Sequence, residues 1–180
     1  MKILIVYATT EGQTRKVARF VFDRLAGAGH AAALVPATDA EGIDPGSYDG
    51  AVLAGSVHAG RFQKELVAWA KASAAGLDAV PTLFLSVSLT AAGDEAEDWA
   101  GLKACVDRFV EETGWTPALV EHVAGAFRFS EYDFFKSWAM RWIAAQKDES
   151  VRPGEDKEYT DWEALGRILE DWTAHLGAGR

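Results

Sequence analysis

The chain has 180 residues, of which 49% are hydrophobic and 25% charged, with a formal charge of −9 and one cysteine. That composition suits one globular domain over residues 1–180 and excludes wholesale disorder. The acidic balance argues against nucleic acid as a partner, and the lone Cys105 excludes an intrachain disulfide and a cysteine-based zinc site.

Met1-Lys2 leads directly into an apolar run from Ile3 to Tyr7. The run is too short for a signal-peptide core, and no stretch approaches the roughly 20 apolar residues of a spanning helix. The expected location is the cytoplasm, with attachment to the inner face of the cell membrane left open. Residues 2–7 are continuously apolar and β-branched or aromatic after Lys2, as a strand buried on both faces requires. Residues 13–27 carry Val17, Ala18, Val21, Phe22 and Leu25 at helical spacing, and Gly27 and Gly29 end that helix. A second strand follows at 31–35, and Asp49-Gly50 precede a third at 51–54. The spacing predicts a helix over 63–75, a fourth strand over 82–87 opened by Pro81, and a helix over 95–113. Pro117 precedes a fifth strand at 118–127, and a last helix covers 161–176. Strands alternating with helices indicate an α/β fold with a parallel sheet. The stretch 128–160 is longer than a tight connection needs and reads as an insertion between the fifth strand and the last helix.

The strongest motif is Thr9-Thr10-Glu11-Gly12-Gln13-Thr14, between the first strand and the first helix. Ligands of open α/β sheets bind at the carboxyl ends of the strands, and hydroxyls with backbone N–H groups at a helix N-terminus form an anion site. The segment holds no Lys or Arg, which suits a terminal monophosphate held by amides and hydroxyls. It lacks the Gly-Lys-Ser/Thr of a triphosphatase and the three-glycine dinucleotide fingerprint. The alternative is an ordinary helix cap with a spare threonine.

Residues Ile5 to Thr14, followed by Ala18 and Val21, resemble the flavodoxin signature position by position. The resemblance implies a three-layer sandwich around a five-stranded parallel sheet of order 2-1-3-4-5, with FMN as cofactor. It places Thr9, Thr10, Glu11, Gly12, Gln13 and Thr14 around the FMN phosphate. Two further loops then meet the flavin ring: Ser56, Val57, His58, Ala59, Gly60 and Arg61 after the third strand, and Ser86, Val87, Ser88 and Leu89 after the fourth. Both loops are rich in small residues, so backbone amides can approach a flat ligand. His58 or Arg61 would place a charge or donor near the ring nitrogens. For His58 the alternative is a solvent-exposed loop histidine. Neither loop carries a Trp or Tyr, and Phe62 is the one aromatic beside them, which suggests a ring face left open to another molecule. His30, His122 and His175 read as structural or solvated, and no metal site is expected. No side chain stands out as a catalytic base.

Between 127 and 142 lie Phe127, Phe129, Tyr132, Phe134, Phe135, Trp138 and Trp142. On a helical wheel the aromatics of 134–145 gather on one side, with Lys136 and Lys147 opposite and Arg141 at the boundary. Three readings stand: a membrane-interface segment through 127–147, a grip on a large flat apolar substrate, or packing on the sheet or a second copy of the chain in a homodimer. Residues 147–158 read as a mobile loop. Gly125-Ala126-Phe127-Arg128-Phe129, this insertion, Tyr159-Thr160-Asp161-Trp162-Glu163 and Ser86-Val87-Ser88-Leu89 together are similar to the menaquinone-dependent protoporphyrinogen oxidases of bacteria. That similarity implies electrons passing from a porphyrinogen or other apolar redox substrate through FMN to a quinone, as in haem biosynthesis. The acidic surface fits a rival reading, an electron carrier docking redox proteins. A non-enzymatic binding domain that keeps the fold is a third.

Overall fold

Strand β1, Lys2–Ala8, shows why its sequence is apolar throughout: Ile3 and Ile5 enter one hydrophobic cluster, Leu4 and Val6 the other, and all four are fully buried. The computed structural model describes residues 1–93, 95–127 and 157–178. Around β1 the strands β2 (Ala31–Pro36), β3 (Gly50–Ser56), β4 (Thr82–Ser88) and β5 (Leu119–Ala124) form one parallel sheet of order β2-β1-β3-β4-β5. This is the expected topology. The order reverses between β1 and β3, so their carboxyl ends open a crevice at the switch point.

Helices α1 (Gln13–Gly27) and α5 (Trp162–Ala178) cover one face. Val17, Val21, Leu165, Leu169 and Trp172 pack there on Ile3, Ile5, Val52, Leu83 and Leu85. Helices α2 (Lys64–Ala72) and α4 (Ala96–Thr113) cover the other, where Leu66, Trp69, Phe109 and Trp115 meet Leu4, Val6, Leu53 and Phe84. Phe84 and Phe109 stack with ring centroids 4.8 Å apart. Among the described residues, no helix is long and apolar enough to cross a membrane.

Three expectations need correction. The helix expected over 63–75 breaks at Ser73, whose φ of −102° and ψ of 8° end α2 and start a short α3 (Ala74–Asp78). The break lets Gly76 lie against residues 44–46, where a Cβ would stand 2.6 Å from Asp44 Oδ1. The fifth strand expected over 118–127 divides at Gly125. Gly125 N–H donates to Ser88 O at 2.8 Å, and a Cβ there would sit 3.3 Å from the Ser88 carbonyl carbon. The chain turns under the end of β4 and leaves the main sheet. It then forms β6 (Ala126–Phe127), which pairs antiparallel with β7 (Lys157–Glu158), so the end of the expected loop 147–158 is a strand. The rest of the aromatic insertion lies outside the described residues.

His122 lies within β5, as expected, half-buried and edge-on to Trp99 at 5.5 Å, with no partner for Nδ1. Burial pushes its pKa below the ordinary 6.5. The unfolded imidazole therefore takes a proton more readily than the folded one, and stability falls as pH drops below about 6.5. In urea melts between pH 7.5 and 5.5, His122→Phe should show a shallower loss than the wild type, because the ring contact stays and the titration goes. An unchanged pH slope would contradict this.

Candidate functional site

The carboxyl end of β1 runs into a turn that only glycine adopts without strain: Gly12 has φ of +89°. Its N–H donates to Thr9 Oγ1 at 2.9 Å, and Lys16 N–H donates to Gly12 O at 3.2 Å. Gly12 caps α1 without a side-chain bond, and the first turn of α1 holds no acidic residue. The N–H groups of a first helical turn have no acceptor within the helix and carry partial positive charge, so this end is set up for an anion. Thr14 is fully buried and Gln13 is 6% exposed, and among the described residues Thr14 Oγ1 and Gln13 Oε1 have no partner. An unpaired buried polar atom costs about 1–3 kcal/mol. Two of them in adjacent residues at a helix N-terminus fit a site whose partner is a ligand oxygen or hydroxyl.

The second loop is tied to the third, since Val57 N–H donates to Val87 O at 2.8 Å. His58 and Arg61 exchange backbone hydrogen bonds of 2.8 and 3.0 Å around Ala59 (φ +48°) and Gly60 (φ +74°). Two left-handed residues in succession make a tight reversal, and Ala59 pays strain for it that a glycine would not. His58 is half-buried in this turn. Arg61, a candidate for the ring, instead pairs with Glu112 of α4 at 2.9 Å, and Arg108 Nη1 donates to Gly60 O at 2.9 Å. Phe62 is a core residue, 5.0 Å from Phe84.

In the third loop Ser88 Oγ accepts from Ala91 N–H at 3.1 Å and shapes the turn beyond Leu89. Ser86 is fully buried with its hydroxyl unpartnered, and the Val87 side chain belongs to the core. Val87 and Ser86 therefore lie deeper in the strand than their neighbours, and Val87 offers the loop cluster its backbone. Trp99 stands at this rim, 41% exposed, its indole N–H donating to Gly93 O at 3.0 Å.

Two residues not singled out for this site in the sequence hold these loops together. Gln63, at the start of α2, donates through Nε2 to Thr10 Oγ1 at 3.0 Å and Ser56 Oγ at 2.5 Å, and its Oε1 accepts from Ser56 N–H at 3.2 Å. One carboxamide thus joins the first loop to the second. Thr160 reaches the first loop from the far end of the chain: Gln13 Nε2 donates to Thr160 Oγ1 at 2.9 Å, and Thr160 donates to Ala124 O at 2.7 Å. Beside them Lys16 pairs with Glu158 at 2.8 Å, and Tyr159 N–H donates to Gly125 O at 3.0 Å. Burial acts to raise the Glu158 pKa, but hydrogen bonds from Lys16, Gln13 and Trp162 and the Lys16 charge outweigh it and hold the carboxyl below its ordinary range. A separate surface cleft of about 720 Å³, lined by Glu41, Asp44, Glu65 and Trp69 among others, shares no residue with the three loops.

Residues 4–152 match the Flavodoxin domain family. The chain is 26% identical over 176 residues to protoporphyrinogen IX dehydrogenase [quinone] of Escherichia coli strain K12, covering 98% of this chain and 96% of that one. It is 27% identical over 174 residues to the protein of the same name from Leishmania major, covering 96% of this chain and 75% of that one. Its fold is similar to that of a short-chain flavodoxin associated with a non-canonical PDU bacterial microcompartment, with a TM-score of 0.59 at 15% identity over 98% of this chain and 99% of that one.

Proposed function

The chain belongs to the flavodoxin domain family, and from that premise we propose that it is an FMN-dependent oxidoreductase that takes electrons from protoporphyrinogen IX and delivers them to a quinone. The observation that carries the cofactor is the N-terminus of α1, free of acidic side chains in its first turn, with the unpaired Thr14 Oγ1 buried within it. Thr9, Thr10, Gly12, Gln13 and Thr14 hold the phosphate through hydroxyls and backbone N–H groups. Loops 56–61 and 86–89 line the ring, mostly through backbone, with Arg61 paired at the surface with Glu112 and the Val87 side chain in the core. FMN, when bound, supplies the reversible two-electron chemistry. The chain's own part is to bind and orient it and to leave a face accessible. Loops 56–61 and 86–93 bring no aromatic side chain of their own and Phe62 is buried, so a broad macrocycle can approach between them with Trp99 at the rim.

The substrate class rests on the near-full-length likeness to the two dehydrogenases. We read the acceptor as menaquinone, met at the inner face of the membrane through residues 127–147, whose aromatic and basic composition suits an interface. An anaerobic assay with FMN-loaded protein, protoporphyrinogen IX and a menaquinone analogue, followed by porphyrin fluorescence, tests the proposal. Turnover should require both flavin and quinone. A flavin that cycles normally with chemical reductants while no porphyrin forms would replace the oxidase by the electron carrier.

A further inference from the structure

The Tyr159-Thr160-Asp161 tail has no part in the chemistry above, yet it touches the phosphate loop across 147 residues of sequence. The hydrogen-bond directions there are fixed by chemistry. Ala124 O can only accept, so the Thr160 hydroxyl must donate to it. The Thr160 oxygen is then left as an acceptor, and Gln13 must turn Nε2 toward it. Thr160 demands the amide nitrogen, and the acceptor carboxylate of Glu158 beside it favours the same orientation. Oε1 is turned away from Thr160 and is buried, with no partner among the described residues.

We propose that Thr160 is a positioning residue for ligand binding: its hydroxyl, held on Ala124 O, fixes the Gln13 carboxamide so that Oε1 is offered to a hydroxyl donor of the bound molecule. A phosphate dianion has no proton to give, so Oε1 does not serve the phosphate. A phosphorylated polyol does have one, and the ribityl chain of FMN carries hydroxyls next to its phosphate. The inference rests on the FMN reading and assigns a residue pair to the polyol part of the ligand. Thr160 lies two residues past β7, which is paired with β6 and joined to α1 by Lys16–Glu158, so the return strand is tied to the cofactor loop.

The test is a fluorescence titration of the full chain with FMN and, separately, riboflavin, which has the polyol and no phosphate. Thr160→Val should weaken both flavins by the same factor, about tenfold, the scale of one buried hydrogen bond. Thr160→Ser should stay within about twofold of wild type. In Gln13→Met the Thr160→Val change should add nothing further, since Thr160 acts through Gln13. Should Thr160→Val fail to fold, Gln13→Met alone carries the test, because it removes Oε1 and leaves Thr160 on Ala124. Wild-type affinity in Thr160→Val or in Gln13→Met, a loss confined to FMN, or additive losses in the double variant would each overturn the inference. A wild-type chain that takes up no FMN would instead sink the FMN reading on which it stands.

Discussion

Replacing Thr14 with Val is expected to move stability and binding in opposite directions. The Thr14 side chain is fully buried and its hydroxyl has no partner in the ligand-free chain. Val has nearly the same shape and no polar atom. The substitution removes a desolvated hydroxyl that gains nothing in the absence of ligand, so the ligand-free protein should gain about 1 kcal/mol. Thr and Val have similar helix propensities, so α1 itself is not at issue. With FMN present the sign reverses. A hydrogen bond from a neutral donor to a charged phosphate contributes roughly 1.5–3 kcal/mol, so FMN affinity should fall about 10- to 100-fold. Urea melts without flavin, set beside flavin titrations, read the two effects separately. A variant that is less stable and still binds like wild type would mean that Thr14 packs the helix and contacts no ligand.

Gly55→Ala is expected to damage both. Gly55 lies in β3 opposite Ala8 of β1 and Ser86 of β4, at the end of the strands that form the crevice. A Cβ there would stand 2.7 Å from Leu66 Cδ2 and 2.8 Å from Phe62 Cδ1. Neither side chain has room to yield. Leu66 is fully buried, and Phe62 is packed against the stacked pair Phe84 and Phe109 at 5.0 and 5.3 Å. Overpacking of this kind costs about 1–3 kcal/mol, which for a chain of this length lowers Tm by roughly 2–12 °C. Pushing Phe62 also displaces Gln63, its neighbour, and so loosens the hydrogen bonds from Gln63 to Thr10 and Ser56. Calorimetry should show the lower Tm, and FMN titration should show weaker uptake. A melting temperature unchanged within a degree would mean that the core yields at no cost.

The parts of this molecule written in local sequence were legible from it. The order of strands and helices followed from apolar periodicity, because the central strands β1, β3 and β4 are buried on both faces and each helix on one. The segment 9–14 was legible because its glycine, its hydroxyls and the helix start all lie within six residues. What depends on contacts between distant segments was not. Gln63 acts through Thr10, 53 residues away, and nothing in its own surroundings marks it. The loop position of Arg61 points it toward the ring, and its pairing with Glu112 on α4, a charge pair across elements, leaves no trace in spacing. The β6–β7 pair has two residues per strand, too few for any period, and its break from β5 comes from the close approach of Gly125 to Ser88. The Tyr-Thr-Asp-Trp tail carries a family resemblance in its sequence, whereas the link from its threonine to Gln13 is visible only in three dimensions.

If the β1–α1 turn is a phosphate site within a flavin site, isothermal calorimetry of the wild-type chain with FMN and with riboflavin should show it. One FMN should bind per chain, at least tenfold more tightly than riboflavin, a margin set by the phosphate's bonds to the α1 N-terminus. Equal affinities for the two flavins, or no uptake of either, would contradict it.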